Sequence, residues 1–308
     1  TGASGLLANG SHLISRSFKY HRPRGIFGAG VDDPSAKVQL IKEGYSEPNI
    51  NLTEYELVEG LELKSQNCWP SVSVDIGEIN NLLNRFFPAG FYYKTFMWPK
   101  SFWYSIYEPF IRKAAGFGVA SLDPDPDRYE HQYEHCDVLV VGSGPSGLSS
   151  ALAAAKNGAR VILAEDKPRF GGSLLTDEVT IGNKKGEEWI DDVISELKSM
   201  PNVITKSRSQ VFGYYDHNML VMFERKRDHL QNPAKFTPRE KLWYIRAKEV
   251  IISTGSIERP LVFANNDRPG IMLSSAAKEY LKVYGVAAGK KPLIFTNNED
   301  RKSTRLNS

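Results

Sequence analysis

Three glycines in the order Gly-x-Gly-x-x-Gly constrain this chain most, because they stand between a strand-like and a helix-like segment. The run 137–141 is short and apolar, as in a buried parallel strand, and it ends directly before Gly142. The Ala-rich segment 148–157 predicts a helix that Gly158 ends, and 161–164 predicts a second strand. Together these segments predict one βαβ unit.

Each glycine of the turn has its own role in such a unit. Gly142 permits the tight turn, Gly144 lets the backbone approach a pyrophosphate, and Gly147 lets helix and strand pack closely. The helix N-terminus then presents free N–H groups and the positive end of its dipole to phosphate. The alternative, that the glycines mark ordinary turns, does not account for their position between strand and helix. The sequence therefore predicts a dinucleotide site of the Rossmann type.

Charged residues follow the second strand of this unit. Glu165 stands where an acid accepts hydrogen bonds from the adenosine ribose hydroxyls, which disfavours the 2′-phosphate of NADP. The positive charge of Lys167 would weaken this discrimination against NADP. For Asp166 and Lys167, cofactor contacts and solvated surface charges remain equally good interpretations. Gly171-Gly172 then predicts a second close approach of backbone to phosphate.

The rest of this domain predicts a sheet with an inserted antiparallel meander. Its three strands are 211–215, 220–224 and 242–246, with a solvated charged loop at 225–239. A further buried strand from Val250 leads to Thr254 and Gly255, which we expect near the cofactor. Helices are predicted at 187–200 and 275–284, and a strand at 292–296. Glycine spacing alone does not separate FAD from NAD, since both present the same ADP half.

The first part of the chain shows shorter patterns. Val38–Ile41 predicts a strand, and Glu56–Leu61 fits a strand or a short helix. A helix is expected at 101–115, within an aromatic-rich segment at 87–117 that we interpret as a buried connector; a partner-subunit or cofactor surface is the alternative. The polar segment 123–135 predicts a linker. The expected domains are a small mixed domain 1–95, connector and linker 96–135, an incomplete dinucleotide-binding domain 136–299 and a non-native tail 300–308.

Composition limits the classes of function. The hydrophobic fraction of 41% and charged fraction of 24% are those of a globular protein, and a net charge of +3 argues against nucleic acid as a partner. No run of about 20 apolar residues predicts a membrane span. Two cysteines, Cys68 and Cys136, fit a reducing compartment, and we expect the cytoplasm. Neither a catalytic constellation nor a metal site is predicted; His131 and His135 lack a third ligand.

Both ends of the chain suggest a fragment. The first residue is Thr1 rather than methionine, and the segment Asp300 to Ser308 resembles a translated sequencing adapter. We therefore expect the native protein to begin earlier and to continue beyond Glu299.

Several longer motifs resemble the alpha subunits of heterotetrameric sarcosine oxidases and cover nearly all of the chain to about residue 299. They are Arg16-Ser-Phe-Lys-Tyr-His-Arg-Pro-Arg-Gly25, Ala89-Gly-Phe-Tyr-Tyr-Lys-Thr-Phe96, Tyr107-Glu-Pro109, Glu258-Arg-Pro-Leu-Val-Phe263 and Asn266-Asp-Arg-Pro-Gly-Ile-Met-Leu273. Related subunits occur in opine, proline and hydrogen-cyanide-forming dehydrogenases.

The resemblance implies a fold of α/β plus α+β class. A small ferredoxin-like β-grasp domain would come first, followed by the Rossmann-type FAD/NAD(P)-binding domain. Some relatives hold a 2Fe-2S cluster in the first domain through four cysteines. Here the segment 25–31 has no cysteine, so we expect the fold without the cluster.

The resemblance also implies a function and site residues. The expected complex oxidises sarcosine to glycine with beta, gamma and delta subunits, and forms hydrogen peroxide and formaldehyde or methylenetetrahydrofolate. FAD would lie in the beta subunit, covalent FMN at the alpha–beta interface, and tetrahydrofolate in a domain absent from this chain. NAD would lie in this chain. The expected cofactor contacts are Gly142, Gly144, Ser146, Gly147, Glu165, Asp166, Lys167, Gly172, Ser173, Val211, Thr254 and Gly255.

Two other functions remain open. One is an alpha subunit of an FAD-dependent amine, proline or opine dehydrogenase, with FAD in this site. The other is a non-enzymatic scaffold that the bound nucleotide stabilises. The basic residues around His21 (Lys19, Arg22 and Arg24) fit a cofactor-phosphate site or a structural role.

Overall fold

A computed structural model describes residues 1–42, 45–86, 96, 98–115 and 118–297. The chain divides into two compact units. The first comprises Thr1–Tyr55, Gly60–Pro124 and Glu258–Ser308, and the second comprises Glu56–Glu59 and Asp125–Ile257. No helix in the described ranges is long and apolar enough to cross a membrane.

The first unit is a small α+β structure. Its strands are β1 (Ser15–Arg16), β2 (Pro23–Arg24), β3 (Lys37–Lys42), β4 (Tyr45–Asn51) and β5 (Glu62–Ser65). Strands β4, β3 and β5 form an antiparallel sheet in that order, and β1 pairs with β2. Its α-helices are α1 (Gly2–Ala8), α2 (Ile79–Leu82), α3 (Glu108–Ala115) and α6 (Ser274–Tyr284). The predicted strand at 38–41 is therefore present within β3, whereas 56–61 forms neither strand nor helix.

Helix α6 contributes to the core of the first unit. Ala276 and Tyr280 are buried beside Ala3, Leu7 and Leu52 from the N-terminal segment. The second unit ends at Ile257, whereas the dinucleotide-binding domain is predicted to extend to residue 299. The apolar face of a helix predicts that the helix packs on a core, but it does not identify which core. The strand expected at 292–296 is not formed.

The described part of the aromatic-rich segment is largely helical, and several of its aromatic side chains are exposed. A 3-10 turn (Lys100–Phe102) and a π-helical turn (Trp103–Tyr107) lead into α3, which agrees with the predicted helix. However, Trp98 and Tyr104 are 83% and 85% exposed, so the interpretation as a buried connector is wrong for these side chains. Residues 87–95, 97, 116 and 117 of the predicted segment lie outside the described residues, as does the predicted tail 300–308.

The second unit contains a six-stranded mixed sheet in the order β10-β7-β6-β13-β12-β11. These strands are β6 (Tyr129–Val141), β7 (Val161–Ala164), β10 (Val203–Lys206), β11 (Ser209–Tyr215), β12 (Met219–Arg225) and β13 (Glu240–Ile252). The first four in the sheet order pair in parallel, and β12 pairs antiparallel with both β13 and β11. A short hairpin joins β8 (Thr180–Ile181) and β9 (Lys184–Lys185). The predicted meander is present.

Two helices pack on this sheet, α4 (Pro145–Lys156) and α5 (Gly186–Ser199). Helix α4 connects the parallel strands β6 and β7, which gives the predicted βαβ unit. Its buried residues Gly147, Leu148, Ala151 and Ala155 recur at helical spacing, and the last three share a core with Leu163 of β7. This packing fixes the N-terminus of α4 at the end of β6.

Strands β6 and β13 are longer than predicted. Each has 13 residues, and they pair in parallel from Tyr129 with Glu240 to Val141 with Ile252. The linker prediction is therefore wrong for 129–135, and the two strands expected at 242–246 and from 250 are one. The polar residues of 129–135 hide the strand from a hydrophobicity pattern, since mostly exposed side chains alternate there with half-buried ones.

Candidate dinucleotide site

The first glycine turn begins where β6 ends. Gly142 has a φ of +94°, and a Cβ there would stand 2.8 Å from the carbonyl carbon of Ser253. A Cβ on Gly147 would overlap the carbonyl oxygen of Gly142. These two positions therefore require glycine for packing alone. A Cβ on Gly144 would meet no atom within 4 Å, so one side of this turn is open to a ligand.

The second glycine turn closes the other side of the site. A Cβ on Gly172 would lie 2.9 Å from the Cα of Gly144, and Gly172 has a φ of +53°. Three residues of the two turns are exposed, namely Ser146, Gly172 and Ser173. Ser146 lies in the first turn of α4. The first N–H groups of a helix have no intrahelical acceptor and favour anions. We call Gly142–Gly147 together with Gly171–Ser173 the glycine cradle.

Glu165 follows β7 directly and is 5% exposed. Its Oε2 accepts hydrogen bonds from the Ser143 backbone N–H at 2.9 Å and from the Ser143 hydroxyl at 2.5 Å, and its Oε1 accepts from the Lys167 N–H at 3.0 Å. Burial, and then the hydrogen bond and the negative charge of Asp166, raise the pKa of Glu165 to about 7. Glu165 thus lies beside the cradle and is joined to the first glycine turn through Ser143.

Asp166 and Lys167 continue from Glu165 around this end of the sheet. The Asp166 carbonyl accepts a hydrogen bond from the Arg225 guanidinium at 2.9 Å, and the Lys167 carbonyl accepts from the Arg208 N–H at 3.0 Å. These bonds fix the backbone of both residues beside Glu165.

The remaining predicted residues come from the meander and from the end of β13. The Ser209 N–H of β11 donates to the Glu165 carbonyl at 2.7 Å, and Val211 of the same strand packs against the core that contains Ala164. Thr254 follows Ser253, whose N–H donates to the Val141 carbonyl at 2.7 Å. The Thr254 nitrogen would stand 3.1 Å from a Cβ on Gly142, and Gly255 comes next with a φ of +73°. The structure therefore brings the two glycine turns, Glu165 and Thr254 together at one end of the sheet.

Residue-by-residue reasoning missed Ser143. It is 1% exposed and connects the first glycine turn to Glu165 and to the second turn, because the Gly171 N–H donates to its hydroxyl oxygen at 3.0 Å and to its carbonyl at 3.1 Å. A polar side chain at a variable position of the glycine motif is the only sequence signal for it.

The basic residues near His21 have structural partners. The His21 Nδ1 lies 2.5 Å from an oxygen of Asp75, and both side chains are buried. Arg22 and Arg24 both pair with the Asp267 carboxylate. The structural role is therefore the one that the structure supports, rather than a phosphate site.

Histidines 131 and 135 both lie in β6, and the His131 ring stacks on Tyr244. Within the described part of the chain, no group of three or more His, Cys, Asp or Glu side chains is arranged to hold a metal ion.

Two family models match the chain. Residues 1–68 match a 2Fe-2S iron-sulfur cluster binding domain, and residues 137–218 match FAD dependent oxidoreductases. The second match includes both glycine turns and Glu165. The open side of Gly144 and the adjacent acid suit the ADP half of a dinucleotide.

The iron-sulfur cluster does not fit the residues present. Within 1–68 the sequence has a single cysteine, Cys68, where four thiolates are needed. Burial raises the pKa of that thiol, which disfavours the thiolate form that binds iron.

A buried carboxylate organises the loop that contains no cysteine. Asp33 is 2% exposed, and its Oδ2 accepts hydrogen bonds from the Phe27 and Gly28 N–H groups at 2.7 and 2.9 Å. Its Oδ1 accepts from the Ser35 and Ala36 N–H groups at 2.7 and 2.6 Å. Four backbone donors therefore converge on one side chain.

Relatives and a solved structure agree with this architecture. The sarcosine oxidase alpha subunit of Rhizobium meliloti (strain 1021) is 52% identical over 97% of this chain, and that of Corynebacterium sp. (strain P-1) is 36% identical over 97%. The chain spans 30% and 26% of the length of these two relatives.

The crystal structure of L-proline dehydrogenase from P. horikoshii superposes with a TM-score of 0.58 over 93% of this chain and 44% of that chain. At 19% identity this likeness supports the fold, and together with the family models it confirms the predicted two-part architecture. The sequence similarity along nearly the whole chain, and the two domains in their order, place this chain in the family of sarcosine oxidase alpha subunits.

Proposed function

We propose that this chain is the dinucleotide-binding part of a sarcosine oxidase alpha subunit and that it holds NAD noncovalently in the glycine cradle. The observation that carries the proposal is the open side of Gly144 next to the buried carboxylate of Glu165. The open side of Gly144 suits a pyrophosphate, and the carboxylate of Glu165 suits a ribose. Membership in the family of sarcosine oxidase alpha subunits indicates the complex in which such a site would work.

The residues of this chain bind and orient the nucleotide. Gly144 and Gly172 allow the backbone to approach the pyrophosphate, and the N-terminus of α4 stabilises its charge. Glu165 accepts a ribose hydroxyl, with Asp166 beside it. Bound NAD supplies a nicotinamide ring that accepts a hydride.

The acid also favours NAD over NADP. A 2′-phosphate beside the Glu165 carboxylate would meet a like charge, which costs binding free energy. The nearby guanidinium of Arg208 would not offset that cost, because it pairs with both carboxylate oxygens of Glu56 at 2.5 and 2.9 Å.

In the proposed complex, the amine is oxidised outside this chain. It joins the alpha subunit to beta, gamma and delta subunits in the cytoplasm and oxidises sarcosine to glycine. FAD and FMN supply the redox chemistry, and tetrahydrofolate accepts the one-carbon unit. This chain alone is expected to show no sarcosine oxidation.

Identification of the bound nucleotide tests the proposal. The purified chain is denatured, and the released nucleotide is identified by mass spectrometry and absorbance. NAD without yellow flavin colour supports the proposal, whereas bound FAD contradicts it. In the reconstituted complex, peroxide should form from sarcosine, and activity only on proline or an opine would contradict the assigned substrate.

A second candidate is an alpha subunit of an amine, proline or opine dehydrogenase with FAD in the cradle. The match of residues 137–218 to FAD dependent oxidoreductases favours it. The nucleotide analysis above distinguishes the two candidates directly.

A third candidate is a scaffold in which the nucleotide has only a structural role. Gly144→Trp would block the open side of the cradle. Loss of subunit assembly with undiminished activity in the residual complex would favour the scaffold.

A further inference from the structure

We propose that Ser143 is a positioning residue that directs the Oε1 oxygen of Glu165 toward an adenosine ribose hydroxyl. This inference rests on the proposed function, because it assigns a role within the dinucleotide site. It concerns a residue between two glycines of the motif, at a position that the motif itself leaves open.

Ser143 saturates one oxygen of the carboxylate. A carboxylate oxygen has two lone pairs, and the Ser143 N–H and hydroxyl donate to the Oε2 of Glu165 at 2.9 and 2.5 Å. No lone pair on Oε2 then remains for a ligand. The Oε1 atom accepts the Lys167 N–H at 3.0 Å, and the carboxyl group also makes a hydrogen bond with Asp166. The second lone pair of Oε1 is the one that we assign to a ribose hydroxyl.

The direction of the Ser143 hydroxyl is fixed by its second partner. The Gly171 N–H donates to the Ser143 oxygen at 3.0 Å, and a backbone amide can only donate. The single hydroxyl proton is therefore available to Glu165. Because Ser143 and Glu165 are both buried, water does not readily replace either bond.

The same contacts join three chain segments that form the site. Ser143 belongs to the first glycine turn, Glu165 follows β7, and Gly171 begins the second turn. A side chain that joins these segments sets the distance between the acid and the open side of Gly144. The spacing between the ribose and pyrophosphate subsites thus depends on Ser143.

This arrangement makes a prediction about ligands that differ by one hydroxyl. ADP is the probe, because it is common to NAD and FAD, and 2′-deoxy-ADP and 3′-deoxy-ADP lack one ribose hydroxyl each. Wild-type protein should bind ADP about tenfold more tightly than at least one of the deoxy analogues, as for a hydrogen bond to a charged acceptor. Isothermal titration calorimetry on the complete chain measures the three affinities.

Ser143→Ala should reduce this tenfold preference to below about threefold, because Glu165 then has freedom to turn away. Ser143→Thr, which keeps the hydroxyl, should restore most of the preference. Ser149→Ala removes an exposed hydroxyl from helix α4, which follows the first glycine turn, and should change neither affinity nor preference. If the alanine variant fails to fold, Ser143→Cys replaces it, since a thiol is a much weaker donor.

The outcomes separate the two proposals. A folded Ser143→Ala or Ser143→Cys variant with the wild-type preference for ADP overturns the role of Ser143 and leaves nucleotide binding intact. A wild-type chain that binds no ADP overturns the proposed function, and the role of Ser143 with it. Equal loss of affinity for all three nucleotides would assign Ser143 a merely structural role and would also overturn the inference.

Discussion

Gly172 lies against Gly144, so that a Cβ on Gly172 would stand only 2.9 Å from the Gly144 Cα. The opposite side of Gly144 is open, since a Cβ there would meet no atom within 4 Å. The cradle is therefore tightly packed on one side and free on the other. This asymmetry separates glycines that are needed for folding from the one that a ligand needs.

Gly144→Ala and Gly147→Ala should have opposite effects. Gly144→Ala should lower the free energy of unfolding by less than about 1 kcal/mol but weaken nucleotide binding at least tenfold, because the new methyl group occupies the open side. Gly147→Ala should destabilise the fold by about 2 kcal/mol or more, because its Cβ overlaps the Gly142 carbonyl oxygen. Thermal unfolding and calorimetric titration with ADP measure both effects. Equal loss of stability in the two variants would contradict the prediction.

The raised pKa of Glu165 should make the stability of the nucleotide-free protein depend on pH. Burial and Asp166 raise this pKa to about 7 from its ordinary value of 4.5. A carboxyl whose pKa is higher in the folded state stabilises the fold at low pH, and this contribution is lost as the pH rises through the folded-state value. We expect Glu165 to cost on the order of 1–3 kcal/mol of folding free energy above about pH 7, relative to about pH 4.

Urea unfolding across this pH range measures the effect of Glu165. The Glu165→Gln variant cannot ionise at this position, so its free energy of unfolding should fall less between about pH 4 and 7. Parallel curves for variant and wild type would refute the assignment to Glu165. Glu187→Gln, at an exposed glutamate of the same unit, is the matched control.

Asp33 should be necessary for the stability of the first unit. Asp33→Asn replaces one acceptor oxygen by an NH₂ group that would face two backbone donors, so we expect a loss of about 2–4 kcal/mol. Asp123→Asn, at an exposed aspartate of the same unit, should change stability by less than about 0.5 kcal/mol. Denaturant unfolding of both variants is the measurement. A neutral Asp33→Asn variant would show that these four bonds contribute little.

The first unit should not take up an iron-sulfur cluster. Anaerobic reconstitution with iron and sulfide should give no stoichiometric iron and no charge-transfer absorption, because Cys68 is the single thiol within residues 1–68. Cys68→Ser should behave like the wild type in this experiment. Uptake of a cluster that Cys68→Ser abolishes would contradict the prediction and would require ligands other than the four thiolates of the cluster-bearing relatives.

The sequence by itself determined the elements whose physical signal is local. The apolar run before Gly142, the Ala-rich helix after it and the spacing of the glycines predicted the βαβ unit, the position of Glu165 and the second turn at Gly171-Gly172. Such features depend on backbone geometry within a few residues, which residue type restricts strongly. The lack of cysteine in the loop before Asp33 likewise predicted a domain without cluster ligands.

Only the tertiary structure decided which segments meet. Residues 129–135 are too polar to indicate a strand, yet they pair with β13 because the backbone hydrogen bonds are supplied from about 110 residues away in the chain. Helix α6 joins the core of the first unit through Ala276 and Tyr280, although its amphipathic pattern fits either core. Ser143 became a site residue for the same reason: its partners Glu165 and Gly171 are distant in sequence, and the fold alone brings them within hydrogen-bond distance.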